Sequence, residues 1–229
     1  MTLPIRAVLL DVHATLVDQG DADTWLDLAV AHAGAGEPDR GGCAVPPGQD
    51  LRPIERAAVL KRLDDIWAHA RVIDPDSGRD HSAEAHADVF HRVMDGHVPG
   101  DIREALYVVM LDVWRAYDDA APLLDALSER GVRTAVLSNV GVDIRPVMER
   151  EGLRADAVVL SCEVGAVKPQ PEIFLAALDA LEVTAEEALM VGDSWKDDAG
   201  AAALGIRTLL LPRTRGPLHG LDQVLRLVG

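Results

Sequence analysis

The sequence is poor in cysteine and has no long apolar run. Its two cysteines, Cys43 and Cys162, are too few for a disulfide framework, and we expect both thiols to be reduced. No apolar run approaches the roughly 18 residues that cross a bilayer. Residues 2–12 lack the basic start and the small-residue cleavage site of a signal peptide. We therefore predict a cytoplasmic protein that does not act at a membrane.

Positive charge is also scarce. The formal net charge is −16, and such a surface repels polyanions, so we expect no nucleic acid among the partners. The same field repels a phosphorylated substrate at long range, so a site for one needs local positive charge. The chain has three lysines, Lys61, Lys168 and Lys196. A lysine inside a conspicuous motif is therefore a candidate for a specific role.

One strand is predicted near the start of the chain, and strands alternate with helices from residue 122 onward. Short apolar runs predict strands at residues 7–12, 132–137, 157–160, 188–191 and 206–211. Apolar spacing predicts a helix before each of the last four strands, at residues 122–130, 142–151, 171–181 and 198–204. This alternation is typical of βαβ units and predicts a parallel sheet.

The stretch between these two parts has a helical pattern. It predicts helices at residues 21–33, 51–70, 82–94 and 102–117, with a loop rich in glycine and proline at 34–50. We therefore predict an α/β fold with a Rossmann-like parallel sheet core formed by residues 1–17 and 118–229. Residues 18–117 form an inserted α-helical domain.

Four polar segments follow predicted strands, where open α/β sheets bind ligands. They read DVHATL from Asp11, LSN ending at Asn139, GAVKPQP around Lys168, and VGDSWKDD ending at Asp198. A strand-end carboxylate can act as nucleophile or metal ligand, a serine hydroxyl can bind a phosphoryl oxygen, and a lysine can neutralise anions. An acidic cluster suits Mg²⁺. Each segment taken alone is also compatible with ordinary turn or helix-cap chemistry.

Taken in this order, the four segments resemble the four motifs of the haloacid dehalogenase superfamily. The flanking sequences SCEVGAVKPQPEIF and VGDSWKDDAGAAALGIRTLLL are similar to the usual forms in the branch with a helical cap between the first two motifs. The resemblance covers the α/β core, roughly half of the chain. Residues 18–117 match the family's cap domain only in length, position and helical character.

The resemblance implies a Mg²⁺-dependent phosphatase of a small phosphorylated metabolite. The sequence leaves the oligomeric state open between monomer and homodimer. Asp11 would be the nucleophile that forms an aspartyl-phosphate, and Lys168 would offset the repulsion between Asp11 and the phosphate. The residues that would bind the phosphoryl group are Thr15, Ser138, Asn139 and Lys168.

The resemblance also implies a magnesium site. Mg²⁺ would be held by the Asp11 carboxylate, the backbone carbonyl of His13, Asp193, and either Asp198 or Asp197. The family accepts both spacings of the last acid, and we favour Asp198.

The first motif departs from the family pattern at two positions. The related phosphatases carry Asp and Gly where this chain has His13 and Ala14. The missing Asp normally protonates the leaving oxygen and then deprotonates the attacking water. Histidine can do both, since its reference pKa is about 6.5. We therefore predict that His13 replaces Asp as the acid–base, the alternative being that it is a spacer. Ala14 costs little unless the turn requires a positive φ.

Three other functions, two catalytic and one non-catalytic, fit the same scaffold. A 2-haloacid dehalogenase uses the Asp nucleophile without metal, which gives no role to the acidic cluster around Asp193. A phosphonate-cleaving enzyme needs a Schiff-base lysine from the cap, for which Lys61 is the candidate. A non-catalytic binding or regulatory protein could have kept the fold after losing the usual acid.

Histidines and tryptophans outside the motifs are interpreted as structural. His81, His86 and His91 are spaced by five residues and do not share one helix face, so we interpret them as solvated residues of the helical domain. We interpret Trp25, Trp67 and Trp114 as that domain's core. Trp195, inside the fourth motif, is a candidate to face the substrate.

Overall fold

The computed structural model describes residues 3–35 and 53–228. These residues form the following β-strands: β1 (Ala7–Leu10), β2 (Val17–Asp18), β3 (Arg115–Ala116), β4 (Arg133–Ser138), β5 (Ala157–Leu160), β6 (Ala188–Gly192) and β7 (Arg207–Leu210). From residue 36 onward, the loop predicted at 34–50 lies outside the described residues.

Helices account for most of the remaining regular structure. They are α1 (Ala22–Gly34), α2 (Pro53–Asp64), α3 (Ile66–Ile73), α4 (Ala83–Met94), α5 (Gly100–Val108), α6 (Ala120–Glu129), α7 (Arg145–Arg150), α8 (Ser161–Val164), α9 (Pro171–Ala180) and α10 (Asp222–Leu227). None of the helices within the described ranges is long and apolar enough to span a membrane.

Five strands form one parallel sheet in the order β5-β4-β1-β6-β7. The central strand β1 pairs with β4 on one side and β6 on the other, with Leu10 opposite both Val136 and Val191. The predicted α/β fold with a parallel sheet is confirmed. This order places the residues that follow β1, β4 and β6 next to one another at one edge of the sheet.

Both faces of the sheet are covered. Ala7 and Leu9 belong to a buried cluster with Ile173 and Phe174 of α9. Successive side chains of a strand point to opposite faces, so Val8 and Leu10, which are also fully buried, face the other layer. This explains why β1 is a continuous apolar run rather than an alternating one.

The described chain divides into two compact units. The first contains Met1–Gln19, Arg79–His86 and Trp114–Gly229, and the second contains Gly20–Gly78 and Ala87–Val113. The first unit holds the sheet, and the second holds α1, α2, α3 and α5. That residues 18–117 act as a cap domain stays a prediction.

The segment Arg79–His86 belongs to the sheet-containing unit because it is bonded and packed there. The Ser161 hydroxyl donates to the backbone carbonyl of Asp80 at 2.5 Å. A Cβ at Gly141 would lie 2.6 Å from both the Arg79 carbonyl oxygen and the His86 Cβ. Burial lowers the pKa of His86 to about 4, with the charge of Arg79 adding to the effect. The interpretation of His86 as solvated is therefore wrong.

Several predicted helices differ from the observed ones. The helix predicted at 51–70 is two helices, α2 and α3, interrupted at Asp65. The helix predicted at 102–117 ends at Val108, and a 3₁₀ turn over Met110–Val113 and strand β3 follow. The structure at 198–204 is a 3₁₀ helix. The helix predicted at 142–151 begins only at Arg145, because Pro146 takes a place in its first turn.

A two-stranded antiparallel sheet was not apparent in the sequence. Strands β2 and β3 pair antiparallel, with Val17 opposite Ala116 and Asp18 opposite Arg115. Each strand has two residues, too few for the alternation that indicates a strand. The pair anchors the chain directly after the first motif.

We expect Gly141→Ala to lower the free energy of unfolding by about 1–3 kcal/mol, because the added methyl has no room beside Arg79 and His86. Urea denaturation followed by circular dichroism measures this change. Gly34→Ala is the matched control, since a Cβ at Gly34 meets nothing within 4 Å. That control should leave stability unchanged or raise it by up to about 1 kcal/mol. Equal effects at both positions would contradict the close approach at Gly141.

Candidate active site

The sheet topology brings the first, second and fourth motifs to one edge. Asp11 follows β1, and its N–H donates to the Val191 carbonyl of β6 at 2.9 Å. Ser138 is the last residue of β4 and is buried. Asp193 comes directly after β6. Because carboxyl ends of neighbouring parallel strands meet, a hydroxyl and two carboxylates come together here.

Lys168 from the third motif joins two of the carboxylates. Its Nζ lies 2.6 Å from Asp11 Oδ1 and 2.7 Å from Asp198 Oδ1. It also donates to the Leu137 carbonyl at 3.2 Å. All three charged side chains are buried, so each ion pair is screened far less than a surface pair. The ammonium compensates two negative charges that could not otherwise be buried so close together.

The charges of this cluster shift one another's pKa values. Burial raises the pKa of the Asp11 carboxyl above its ordinary value, and the Lys168 ammonium opposes that rise. Burial also raises the pKa of Asp198, again opposed by Lys168. For Lys168, burial favours the neutral amine, but the attraction of the two carboxylates outweighs it and raises the pKa of the ammonium. The two carboxylates therefore favour the charged form of Lys168.

Backbone and side-chain contacts hold Lys168 and Asp11 in place. The Asn139 amide donates to the Lys168 carbonyl at 3.0 Å and accepts from the Lys168 N–H at 2.7 Å. The Thr15 hydroxyl donates to Asp11 Oδ2 at 3.1 Å. Asn139 thus holds the backbone of the third motif at Lys168, and Thr15 orients the Asp11 carboxylate. That these side chains also bind phosphate stays a prediction.

The structure separates Asp197 from Asp198. Asp198 is fully buried, and its Oδ2 accepts the Ser194 N–H at 2.9 Å. The carboxylate approaches so closely that a Cβ at Gly192 would lie 2.1 Å from it. Asp197 instead accepts the Ser194 hydroxyl at 2.8 Å. Of the two acids, Asp198 is the one that lies with Asp11.

Three carboxylates are arranged so that they could hold one cation. Asp11, Asp193 and Asp198 each offer an oxygen, and these oxygens lie within 4.8 Å of one another. Hard carboxylate oxygens are the ligands that Mg²⁺ prefers. The donor set therefore fits magnesium.

An arginine that the motifs did not include also lies in this cluster. The Arg213 guanidinium forms an ion pair with Asp193 Oδ2. Burial raises the pKa of Asp193, and Arg213 opposes the rise. Arg213 follows β7, so its position after a strand was the one available signal. Its side chain is largely exposed, which leaves it near the carboxylates without being buried among them.

His13 lies in the turn after Asp11, half-buried, with its ring centroid 5.5 Å from that of Trp114. Trp114 belongs to the sheet-containing unit, so its interpretation as core of the helical domain is wrong. Ala14 has a φ of 61°, a left-handed conformation that costs a non-glycine residue about 1–2 kcal/mol. Ala14 therefore does carry strain in place of the family's glycine.

Trp195 is the remaining aromatic residue of the fourth motif. Its side chain is 79% exposed. An indole so open to solvent makes no contribution to the core, in contrast to the buried Trp25 of the helical unit, whose Nε1 donates to the Leu106 carbonyl at 2.9 Å.

A family model described as haloacid dehalogenase-like hydrolase matches residues 5–205. The chain belongs to the haloacid dehalogenase-like hydrolases. The family is one of hydrolases, as the four motifs implied. The match includes the first three motifs and the acidic cluster that supplies Asp193 and Asp198.

Relatives of this hydrolase include both phosphatases and dehalogenases. A ribulose-1,5-bisphosphate 5-phosphatase of Halopiger xanaduensis is 33% identical over 62% of this chain and 64% of its own length. An (S)-2-haloacid dehalogenase of Pseudomonas sp. is 27% identical over 93% of this chain and 87% of its own length. The chain thus spans less than two thirds of the length of the Halopiger phosphatase.

Solved structures share the fold of this hydrolase. A HAD-hydrolase of Bacillus subtilis bound to magnesium superimposes with a TM-score of 0.68 at 17% identity, covering 99% of this chain and 100% of that one. At this level of identity the likeness concerns the fold.

We expect Mg²⁺ at roughly 100 times its dissociation constant to raise the thermal midpoint by about 5–10 °C near neutral pH. Burial raises the pKa values of all three carboxyls, so the folded metal-free protein keeps protons that the unfolded chain has lost. The stability of the metal-free protein therefore falls as pH rises through the window between the ordinary carboxyl pKa and the raised values. Mg²⁺ binds the ionised carboxylates, so its stabilising effect should grow over the same window.

Thermal melts with and without Mg²⁺ at about pH 5 and pH 7.5 measure this effect. Asp198→Asn should abolish the shift, whereas Asp197→Asn, a matched change one residue away, should retain it. A shift lost in Asp197→Asn and kept in Asp198→Asn would mean that the other acid serves the metal.

Proposed function

We propose that this hydrolase is a Mg²⁺-dependent phosphatase of a small phosphorylated metabolite, working through an aspartyl-phosphate on Asp11. The observation that carries the proposal is the buried cluster in which Lys168 bridges Asp11 and Asp198 while Asp193 lies alongside. The Lys168 ammonium, together with a cation held by the three carboxylates, would offset the repulsion when an anionic phosphoryl group approaches the Asp11 nucleophile.

In the first step, the Asp11 carboxylate attacks phosphorus and the bond to the leaving oxygen breaks. His13 donates the proton that the leaving oxygen takes up, and the product alcohol departs. In the second step, His13 accepts a proton from water, which attacks the phosphorus of the aspartyl-phosphate and restores the Asp11 carboxylate. General acid–base help of this kind is typically worth roughly 10²–10⁴-fold.

The other motif residues hold the reacting groups. Lys168 neutralises charge on Asp11 and on the phosphoryl oxygens without changing its protonation. Thr15 keeps one Asp11 oxygen oriented through its hydroxyl. The Ser138 hydroxyl at the end of β4 would bind a phosphoryl oxygen, and Asn139 would hold the Lys168 loop at the distance that the phosphate requires.

Asp11, Asp193 and Asp198, with the backbone carbonyl of His13, would hold Mg²⁺. When bound, the ion supplies Lewis-acid stabilisation of the negative charge on the transferring phosphoryl group. Arg213 pairs with Asp193 Oδ2 and would release this oxygen to the ion.

A 2-haloacid dehalogenase is the second candidate function, favoured by the relative that matches 93% of this chain. It would use Asp11 to displace halide from carbon and would need no metal. The three-carboxylate cluster has no task in that reaction, which is why we favour phosphoryl transfer.

We expect Asp11→Asn to abolish phosphate release, because an amide is nearly isosteric with the carboxylate but is not a competent nucleophile. Loss of a nucleophile should cost several powers of ten in kcat. The assay measures Mg²⁺-dependent phosphate release from a panel of small phosphate esters. Asp197→Asn serves as the matched control, and circular dichroism shows whether each variant is folded.

Retention of more than about a tenth of the activity in Asp11→Asn would exclude covalent catalysis by this residue. The same preparations are also assayed for halide release from 2-chloropropionate in excess EDTA. Halide release that is lost in Asp11→Asn, without phosphate release from any ester, would assign the chain to the dehalogenases.

We expect His13→Ala to slow turnover by roughly 10²–10³-fold. His13→Asp should keep much of the parent activity, since Asp is the residue that related phosphatases hold here. Steady-state kinetics on the best ester of the panel measures both effects. If His13→Ala is as active as the parent, His13 is a spacer and another group moves the proton.

A further inference from the structure

The turn that carries His13 is closed by hydrogen bonds of its own backbone, and its Val17 end is also held by the pairing of β2 with β3. The Val12 carbonyl accepts the N–H groups of Thr15, Leu16 and Val17 at 3.2, 2.8 and 2.9 Å, and the Ala14 N–H donates to the Val17 carbonyl at 2.7 Å. The Ala14 carbonyl is directed away from these bonds. It lies 2.8 Å from Nε2 of His219.

His219 is far from the four motifs in sequence, yet it contacts the first of them. Because a carbonyl can only accept, Nε2 donates its proton to the Ala14 oxygen. The ring is 6% exposed and stands edge-on to the ring of Tyr117, with centroids 4.8 Å apart. Its Nδ1 is buried without a hydrogen-bond partner among the residues that the structure describes. The hydrogen bond of the His219 ring is therefore made to the turn that carries His13.

The backbone that carries His219 is itself fixed. The Asp119 carboxylate accepts the N–H groups of His219, Gly220 and Leu221 at 3.0, 2.8 and 2.8 Å. Burial alone would raise the pKa of Asp119, but these three donors outweigh it and lower that pKa. An ionised carboxylate thus anchors the segment, and Gly220, with a φ of 90°, permits its tight bend.

We propose that His219 is a positioning residue that holds the turn between Val12 and Val17 and so fixes the positions of His13 and Thr15 relative to Asp11. Ala14 adopts a left-handed backbone that its side chain disfavours, so contacts from outside help the turn to keep one conformation. The pairing of β2 with β3 holds the Val17 end, and His219 from the C-terminal segment holds the strained Ala14 itself through its carbonyl. Its effect on turnover rests on the proposed function, whereas its effect on the turn does not.

The first experiment compares amide hydrogen exchange in metal-free His219→Met and His219→Gln. Methionine fills similar space without a donor, while the glutamine amide nitrogen is separated from Cβ by as many bonds as Nε2 of histidine. Loss of the hydrogen bond should speed exchange of the Ala14, Thr15 and Leu16 amides by roughly tenfold in His219→Met. His219→Gln should stay within about threefold of the parent.

The second experiment measures kcat and KM on the best phosphate ester of the panel. His219→Met should lower kcat by roughly 10–100-fold with KM within about twofold of the parent, because only the alignment of the reacting groups is lost. His219→Gln should recover most of that kcat. Val224→Ala, a buried change in α10, is the control for a general loss of stability and should leave kcat unchanged.

Unchanged exchange in His219→Met would overturn the proposal, as would faster exchange with unchanged kcat. A kcat loss matched by Val224→Ala would also overturn it, because instability alone would then explain the effect. If the parent releases phosphate from no ester, the proposed function fails, and the exchange data alone decide whether His219 holds the turn.

Discussion

Lys168 lies between Asp11 and Asp198, and none of the three charges could be buried at the end of this sheet without the others. Removing the ammonium would leave two close carboxylates in a poorly hydrated place, which typically costs about 3–5 kcal/mol for a buried pair that loses one partner. Asn139, Gly192 and the peptide N–H of Ser194 all serve this arrangement. The same cluster prepares the Asp11 carboxylate as a nucleophile, and Asp193 beside it completes the set of three carboxylates that could hold a cation.

The parallel sheet and the location of the site could be predicted from the sequence. Apolar runs ending in Asp11, Ser138 and Asp193 predict buried strands whose carboxyl ends meet, and this follows from strand geometry alone. The resemblance to the haloacid dehalogenase superfamily added the identity of the partner lysine. Asp198 could not be distinguished from Asp197 by spacing, because the distinction depends on a turn through Ser194 that periodicity does not describe.

The rest of the neighbourhood depends on contacts between residues distant in sequence. Trp114 lies near His13 because the next two residues, strand β3, pair with β2 directly after the first motif, and strands so short leave no pattern in the sequence. Arg213 and His219 lie in a C-terminal segment without periodicity, yet one pairs with Asp193 and the other with Ala14. A histidine at position 13 was visible at once as a departure from the family, but the residues that orient its turn were not.

The scarcity of lysine gives the buried ammonium a practical meaning. Acylating reagents modify amines that are both accessible and deprotonated, and Lys168 is 3% exposed with a raised pKa, whereas Lys61 and Lys196 are exposed. In the native protein, covalent labelling should therefore spare one lysine side chain. Modification of Lys168 would show that the site at the end of the sheet had become accessible to the reagent. This side chain can therefore be used to test whether the site is intact.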